Sequence, residues 1–219
     1  MQRIFFFYVP ELSYEKKDLN VPDSEKRFFI GKLSRLITNT IFLSHALRED
    51  ILIRIIVKSP IPHIIQIKTD TIRYLGPEER SLGSLLIKTE KSVFEKKTDS
   101  NIDSEWFQPN PGLLVKITKN IYADFQEELR LPVVVLVPKV IESDSSENNF
   151  YQNFSEYLEF IKTNYQSIII HYDLASNSFI PSKKLSFKHQ TKEIVLTNPF
   201  DNLTLISLAN ILLDKKKKP

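Results

Sequence analysis

The chain lacks cysteine, and this absence excludes two kinds of site. None of its 219 residues is cysteine, so neither a disulfide bond nor a thiolate-ligated zinc site can form. A chain without cysteine also fits a reducing compartment, and we expect a cytoplasmic location.

Glycine is nearly as scarce. The only glycines are Gly31, Gly76, Gly83 and Gly112, so none lies beyond residue 112. The dinucleotide-binding fingerprint and the P-loop each need glycines clustered within a few residues of one another. Their absence excludes most nucleotide-binding enzyme classes.

Long hydrophobic runs are also missing. No stretch approaches the roughly 20 consecutive apolar residues that a membrane-spanning helix needs, and we expect no membrane partner. The opening segment, MQRIFFFYVP, is apolar but short. We therefore expect it to form a core strand rather than a signal peptide.

What remains is the composition of an ordinary folded protein. The hydrophobic fraction is 42% and the charged fraction is 26%. The length suits one domain, and we predict a single domain over residues 1–219 with polar loops near 96–112 and 142–150. The net charge of +3 permits nucleic-acid binding without arguing for it.

Hydrophobic periodicity predicts strands that alternate with helices. Runs rich in β-branched residues predict strands at 3–9, 51–57, 64–68, 113–116, 133–137, 168–171 and 193–196. Helical spacing predicts helices at 24–48, from 76 onward, and at 121–129, 154–161 and 203–213. This alternation is typical of an α/β fold with a mainly parallel sheet flanked by helices.

Three phrases in the sequence carry a family resemblance. Residues 41–50 read IFLSHALRED, residues 76–81 read GPEERS, and residues 109–115 read PNPGLLV. In this order and at this spacing they resemble the archaeal tRNA pseudouridine N1-methyltransferases of the SPOUT superfamily. The resemblance implies a SPOUT-like α/β domain with a C-terminal trefoil knot, usually assembled as a homodimer.

The resemblance also implies an activity and a cofactor. The activity is methyl transfer from S-adenosyl-L-methionine to the N1 atom of a pseudouridine in the T arm of a tRNA. The methyl donor would lie in the knot, against three loops that begin near residues 138, 171 and 197. The cofactor-binding residues implied in this way are Pro138, His171, Tyr172, Asp173, Leu196, Thr197 and Leu203.

The chain departs from the family pattern in three places. Residues 28–31 read FFIG where the family has G-R-x-D, so a proton acceptor would have to come from Asp23 or Glu25. Residues 171–175 lack both glycines that the family has there, and residues 196–203 keep little of the last family phrase. No catalytic residue is assigned.

These departures leave several hypotheses open. The first is an active RNA methyltransferase. The second is a catalytically degenerate homologue that binds RNA or protein. A third is an enzyme whose reshaped pocket takes another small ligand.

Candidate RNA-binding residues are cationic side chains near the family phrases. They are Arg35, His45, Arg48 and Arg80, and arginine suits this role because it binds phosphate with two hydrogen bonds. Structural alternatives are an ion pair of an arginine with Glu78 or Glu79, and stabilisation of a helix end by the histidine.

Other polar and aromatic residues allow further expectations. Arg54, within the predicted strand 51–57, is expected to face a sheet edge or a partner subunit. Trp106 and Phe107 are expected to pin their polar loop to the core. The four histidines have no metal-ligand spacing, so we predict no metal site.

Overall fold

The structure, a computed structural model, describes most of the first 118 residues and selected parts of the rest. The described residues are 2–12, 14–21, 24–43, 46–97, 105–118, 133–140, 167–176, 178–179, 191–198, 206–207, 210 and 214. The predicted helices at 121–129 and 154–161, the loop at 142–150 and most of the predicted helix 203–213 lie outside them.

The described residues form nine strands, two α-helices and one short 3-10 helix. In chain order the strands are β1 (Gln2–Glu11), β2 (Ile51–Ser59), β3 (His63–Lys68), β4 (Phe107–Asn110), β5 (Leu113–Ile117), β6 (Val133–Val140), β7 (Ser167–Asp173), β8 (Ser178–Phe179) and β9 (Thr191–Asn198). The α-helices are α1 (Glu25–Ile41) and α2 (Glu79–Lys97), and the 3-10 helix spans Lys16–Asn20. Up to residue 118 the order of strands and α-helices agrees with the sequence analysis, except for β4 and the 3-10 helix, which it did not predict.

The nine strands form one mixed sheet with β1 near its centre. The strand order is β4-β5-β3-β2-β1-β7-β6-β9, and β8 pairs with β7 outside this path. The strands β2, β1, β7, β6 and β9 run parallel to one another. The strands β3, β4 and β5 form an antiparallel extension beside β2. Phe5, Phe6 and Phe7 of β1 are all buried, as expected for a strand covered on both faces.

Helix α1 begins where the sequence predicts it and ends earlier. The Ser24 hydroxyl oxygen accepts a hydrogen bond of 3.0 Å from the Arg27 N–H, which caps the helix start. The helix ends at Ile41, and Phe42 then forms an isolated β-bridge with Leu47. The prediction that the helix continues to residue 48 is therefore wrong.

Arg54 is buried in the sheet, so the expectation that it faces an edge is also wrong. Its strand, β2, lies between β1 and β3. The guanidinium donates hydrogen bonds of 3.1 and 2.9 Å to the Gln66 side-chain oxygen, and it lies 6.0 Å from the centre of the Trp106 ring. Trp106 thus packs onto the core through Arg54, as expected for a pinning residue. The next residue, Phe107, begins β4 in a stretch that was predicted to be loop.

Candidate functional site

Five parallel strands end at one edge of the sheet, which we call the carboxyl edge. Their last residues are Glu11, Ser59, Val140, Asp173 and Asn198. In open α/β sheets, ligands bind outside the carboxyl ends of the parallel strands. The carboxyl edge is therefore the expected place of a ligand site. The opposite edge, where these strands begin, is called the amino edge.

Residues predicted to bind the methyl donor lie toward this edge on neighbouring strands. Pro138 of β6 pairs with Leu196 of β9, and Thr197 comes next along β9. Strand β7, which contains Tyr172, pairs with β6 on the other side, in a register that runs from Val133 opposite Ser167 to Leu136 opposite Ile170. The fold thus brings together three segments that are distant in sequence. The predicted residues His45 and Leu203 lie outside the described residues, and only the backbone of His171 is described.

Asp173 stabilises the turn that follows β7. Its carboxylate accepts a hydrogen bond of 3.0 Å from the Ala175 N–H and another of 3.0 Å from the Ser176 hydroxyl. None of the described residues in this turn has a positive φ. The turn therefore forms without the glycines that the family has there. Ala175 and Ser176 are exposed at the carboxyl edge, so this part of the edge is open to a ligand.

Tyr172 connects β7 to helix α1. Its side chain is buried, and the Lys32 ammonium nitrogen lies 5.9 Å from the centre of its ring. Burial lowers the pKa of Lys32 below its ordinary value, and the nearby Arg35 lowers it further. This lysine is therefore more readily deprotonated than an ordinary surface lysine.

A small cleft of about 150 Å³, which we call the acidic cleft, lies where β1 ends and α1 begins. It is lined by Pro10, Glu11, Tyr14, Glu25, Lys26 and Phe29. The Tyr14 ring lies 6.4 Å from the Phe29 ring, and its hydroxyl lies 3.5 Å from the Glu11 carbonyl oxygen. Burial raises the pKa of Tyr14 well above its usual range, and the carboxylates of Glu11, Asp18 and Glu25 add to this effect. Tyr14 therefore remains protonated at neutral pH.

The acidic cleft combines groups suited to acid–base chemistry. A carboxylate can accept a proton, and a protonated phenol can donate a hydrogen bond to a carbonyl oxygen. Glu25 is one of the two acids predicted to replace the missing family aspartate, whereas the other, Asp23, lies outside the described residues. The sequence analysis missed Tyr14 and Glu11. The sequence feature that could have indicated them is the position of Tyr14, an aromatic residue among charged ones directly after the first strand, where ligands often bind in such sheets.

Arg35 and Arg80 occupy the surface formed by α1 and α2. The Arg35 Nε atom lies 3.5 Å from one carboxylate oxygen of Glu79, whose other oxygen lies 2.7 Å from Arg27. One structural alternative, an ion pair of an arginine with Glu79, is thus present. The Arg35 side chain nevertheless remains 52% exposed, and Arg80 in the first turn of α2 is also exposed.

Arg48 differs from the other predicted RNA-binding arginines because it is buried. It donates hydrogen bonds of 2.8 Å to the Phe42 carbonyl oxygen and 3.1 Å to the Thr40 carbonyl oxygen, at the end of α1. A third bond of 2.8 Å joins it to the Asp214 carboxylate. The residue lies just before β2, at the amino edge. The structure therefore accounts for Arg48 as a helix cap and does not bring it together with Arg35 and Arg80.

The described residues contain neither a metal-binding cluster nor a membrane-spanning helix. No group of three or more histidine, cysteine, aspartate or glutamate side chains among them is placed to hold a metal ion. In the same part of the chain, no helix has the length and apolar character that crossing a membrane requires.

Comparison with known proteins supports the fold that the sequence predicts. A 71-residue stretch is 41% identical to a tRNA (pseudouridine(54)-N(1))-methyltransferase of Methanococcoides burtonii, and it makes up 32% of this chain and 34% of that protein. The match thus spans about a third of the relative's length. No family model matches the chain.

Among solved structures, the chain is similar to Archaeoglobus fulgidus Nep1 bound to S-adenosylhomocysteine. The TM-score is 0.50, the sequence identity is 13%, and the similarity covers 98% of both chains. The chain has the Nep1-like SPOUT fold. The mainly parallel α/β sheet flanked by helices is thereby confirmed. The trefoil knot remains a prediction, because the segments between β6, β7 and β9 lie largely outside the described residues.

Proposed function

We propose that this protein is an S-adenosyl-L-methionine-dependent RNA methyltransferase that modifies the N1 atom of a pseudouridine in tRNA. The observation that carries the proposal is the placement of Pro138, Tyr172 and Leu196 on three adjacent parallel strands, toward the carboxyl edge. The 71-residue similarity to a tRNA pseudouridine methyltransferase supports the substrate class. The S-adenosylhomocysteine bound to Nep1 supports the cofactor class.

The described residues fit such a cofactor because the turn after β7 is open and unstrained. S-adenosyl-L-methionine, when bound, supplies a methyl group carried on a positively charged sulfur. The backbone around Pro138, His171–Asp173 and Leu196–Thr197 would hold it, together with Leu203. The site is thus assembled from backbone of three neighbouring strands.

The chain's own side chains would orient the base and remove its proton. The pseudouridine N1 atom exchanges its proton for a methyl group, and a carboxylate can accept that proton. We assign this role to Glu25, in the acidic cleft where α1 begins. The Tyr14 hydroxyl, held in its protonated form, would donate a hydrogen bond to a carbonyl oxygen of the base in place of its 3.5 Å contact with the Glu11 carbonyl oxygen.

The RNA would contact the surface formed by α1 and α2. Arg35 and Arg80 are exposed there, and their guanidinium groups suit phosphate oxygens. His45 remains a further candidate. We also propose that the protein acts in the cytoplasm as a homodimer. Size-exclusion chromatography with light scattering tests the homodimer directly.

Cofactor binding is the first test. Thermal shift and calorimetry should show that S-adenosylhomocysteine stabilises the protein, by about 2.7 kcal/mol at one hundred times its dissociation constant. Ala175→Trp should abolish the shift because it fills the open turn after β7. Ala46→Trp, at another exposed position, serves as the matched control. The cofactor assignment fails if the wild-type protein shows no shift at millimolar ligand.

Methyl transfer is the second test. With radiolabelled donor and a pseudouridine-containing tRNA transcript, Glu25→Gln should lower the rate by about 10²- to 10⁴-fold, as expected on loss of a general base. Glu15→Gln is the control, since Glu15 is exposed and pairs with Lys17. An equal rate in Glu25→Gln and the wild type would remove Glu25 from the mechanism.

One observation favours the alternative of a degenerate RNA- or protein-binding homologue. Where the family has G-R-x-D, Phe28 is 66% exposed and Gly31 packs against the Glu79 carboxylate of α2. A protein that binds tRNA but shows neither a cofactor shift nor methyl transfer would establish this alternative.

A further inference from the structure

A second and larger cleft, which we call the basic cleft, lies at the amino edge. It has a volume of about 420 Å³ and is lined by Lys68, Thr71, Arg73, Gln108, Pro111, Gly112 and Leu114. Strand β3 runs antiparallel to β2, so Lys68 at its end lies at the edge opposite to the acidic cleft. The basic cleft is therefore separate from the candidate methyl-transfer site.

The side chains of the basic cleft carry positive charge. Among the described residues that line it, Lys68 and Arg73 are the ionisable ones, and both are exposed. The nearest acid along the chain, Asp70, does not line the cleft and accepts a hydrogen bond of 3.3 Å from the Thr71 hydroxyl. Gln108, also exposed, adds an amide that can both donate and accept hydrogen bonds.

The backbone beneath these side chains is held in place by hydrogen bonds between two turns. The Lys68 N–H donates to the Gly112 carbonyl oxygen at 2.9 Å, and the Arg73 N–H lies 3.4 Å from the Pro111 carbonyl oxygen. Gly112 has a φ of +74°, and a Cβ atom there would lie 2.2 Å from the Ile72 Cα atom. The two cations therefore project from a close-packed scaffold rather than from an independent loop.

Tyr74 follows Arg73 and is unusual in both backbone and side chain. Its φ is 62°, a conformation that residues with a side chain rarely adopt, and its side chain is 90% exposed. Asparagine or glycine would hold this backbone at a lower cost, and an exposed ring contributes little to folding. A strained residue that stability does not explain points to a function.

We propose that the basic cleft and Tyr74 together form a binding surface for single-stranded RNA. Lys68 and Arg73 would contact successive phosphates, and the Tyr74 ring would stack on a base. An acidic peptide would also suit the two cations, but the exposed aromatic ring of Tyr74, the next residue after Arg73 in the chain, favours a polymer that carries both charge and bases. The inference deepens the proposed function and rests on it for the identity of the polymer as RNA.

The test measures binding of a labelled oligouridylate of about 12 nucleotides, a length suited to a single-strand site, to the full chain by fluorescence anisotropy. Replacing both cations, Lys68→Ala with Arg73→Ala, should reduce the slope of log affinity against log salt by about 1.4, since each phosphate contact contributes about 0.7. Tyr74→Ala should weaken binding about tenfold with little change in slope, whereas Tyr74→Phe should bind like the wild type.

Matched controls come from the C-terminal half of α2, three or more helical turns beyond Arg80 and outside the RNA contacts proposed above, where Lys91 and Phe94 are also exposed. Lys91→Ala and Phe94→Ala should leave both affinity and salt slope unchanged. Tyr74→Asn tests the fold, because asparagine tolerates this backbone. It should lose RNA affinity while melting at or above the wild-type temperature.

Several results would overturn the inference. They are the absence of RNA binding by the wild type, wild-type affinity in both the double variant and Tyr74→Ala, and preference of the same surface for polyglutamate. The S-adenosylhomocysteine thermal shift separates this inference from the proposed function. If RNA binding depends on the basic cleft but no shift occurs, the RNA surface stands and the methyltransferase proposal fails. If the shift occurs but the variants bind RNA normally, the methyltransferase proposal stands and the RNA surface at the basic cleft fails.

Discussion

At the scale of single residues, Tyr14 shows how the fold changes the chemistry of a side chain. It lies between β1 and α1, among four carboxylates and against Phe29. Burial and negative charge both favour the neutral phenol. The folded protein therefore holds the phenol proton more tightly than the unfolded chain does.

This difference predicts a dependence of stability on alkaline pH. Because the pKa of Tyr14 is raised on folding, its contribution is fully present below the unfolded pKa, about 10, and is lost as the pH rises above it. Urea unfolding between about pH 8 and about pH 11 should show a smaller loss of stability in Tyr14→Phe than in the wild type. Tyr74→Phe, at an exposed ring, is the control and should follow the wild type. Parallel curves for all three proteins would contradict this account.

Residues of the same type also have different roles in this structure. Arg35 and Arg48 were both predicted to bind RNA from their places beside family phrases. Arg35 is 52% exposed and shares Glu79 with Arg27, whereas Arg48 is only 6% exposed and caps a helix end. Exposure, which the sequence does not report directly, separates the two.

At the scale of elements, the hairpin of β4 and β5 depends on one glycine. Gly112 has a positive φ, and a Cβ atom there would lie 2.2 Å from both the N and Cα atoms of Ile72. Such a clash is with backbone and cannot be relieved by rotating a side chain. The family phrase at residues 109–115 thus contains a residue required by packing as well as by turn geometry.

Gly112→Ala should therefore be strongly destabilising. We expect a loss of about 3 kcal/mol or more, through strain and displacement of the turn after β3. Gly76→Ala is the control, because its added Cβ atom would meet only the Ser81 side chain, at 3.3 Å. Equal unfolding free energies for the two variants in urea titrations would contradict this prediction. They would show that the β4–β5 turn can move away from the turn after β3 with little loss of stability.

A buried polar pair joins β3 to α2. The His63 Nε2 atom lies 2.7 Å from the Glu90 carboxylate, and its Nδ1 atom lies 2.6 Å from the Ile61 carbonyl oxygen. The sequence analysis predicted no metal site for the histidines. It did not identify this pair, because the two residues lie on different elements.

The end of α1 shows why the helix prediction was wrong. Residues 41–48 continue the apolar spacing of the helix, so periodicity alone extends it. Instead, Phe42 pairs with Leu47, and the Arg48 side chain takes the place of the next helical turn by donating to the Phe42 carbonyl oxygen. A side chain beyond the helix end supplied hydrogen bonds that a local pattern does not reveal.

At the scale of the whole molecule, a charged network connects the two ends of the chain. Asp214 accepts hydrogen bonds of 2.9 Å from Arg3 in β1 and 2.8 Å from Arg48. Arg3 also pairs with Asp50, and both arginines are nearly fully buried. The network joins Asp214 to the amino edge of the sheet.

Removing Arg48 should leave the carbonyl groups at the end of α1 without its hydrogen bonds, while Asp214 keeps its bond to Arg3. We expect Arg48→Ala to cost about 1–3 kcal/mol, as for buried acceptors left unpaired. Because Arg48 and Asp214 share one contact, Arg48→Ala with Asp214→Ala should cost less than the sum of the single changes. Arg80→Ala, on the exposed surface, should stay within about 0.5 kcal/mol of the wild type in the same urea titrations. Strict additivity would mean that the two residues act independently.

The sequence by itself determined the α/β class, most element positions up to residue 118, and a family resemblance, because these depend on local spacing and short phrases. It also placed residues near 138, 171 and 197 at strand ends. Only the tertiary structure decided which groups meet: the pairing of Pro138 with Leu196, the acidic cleft around Tyr14, the burial of Arg48, and the basic cleft lined by Lys68 and Arg73. The physical reason is that these contacts join residues distant in the chain. Their exposure and pKa depend on neighbours that no local pattern specifies.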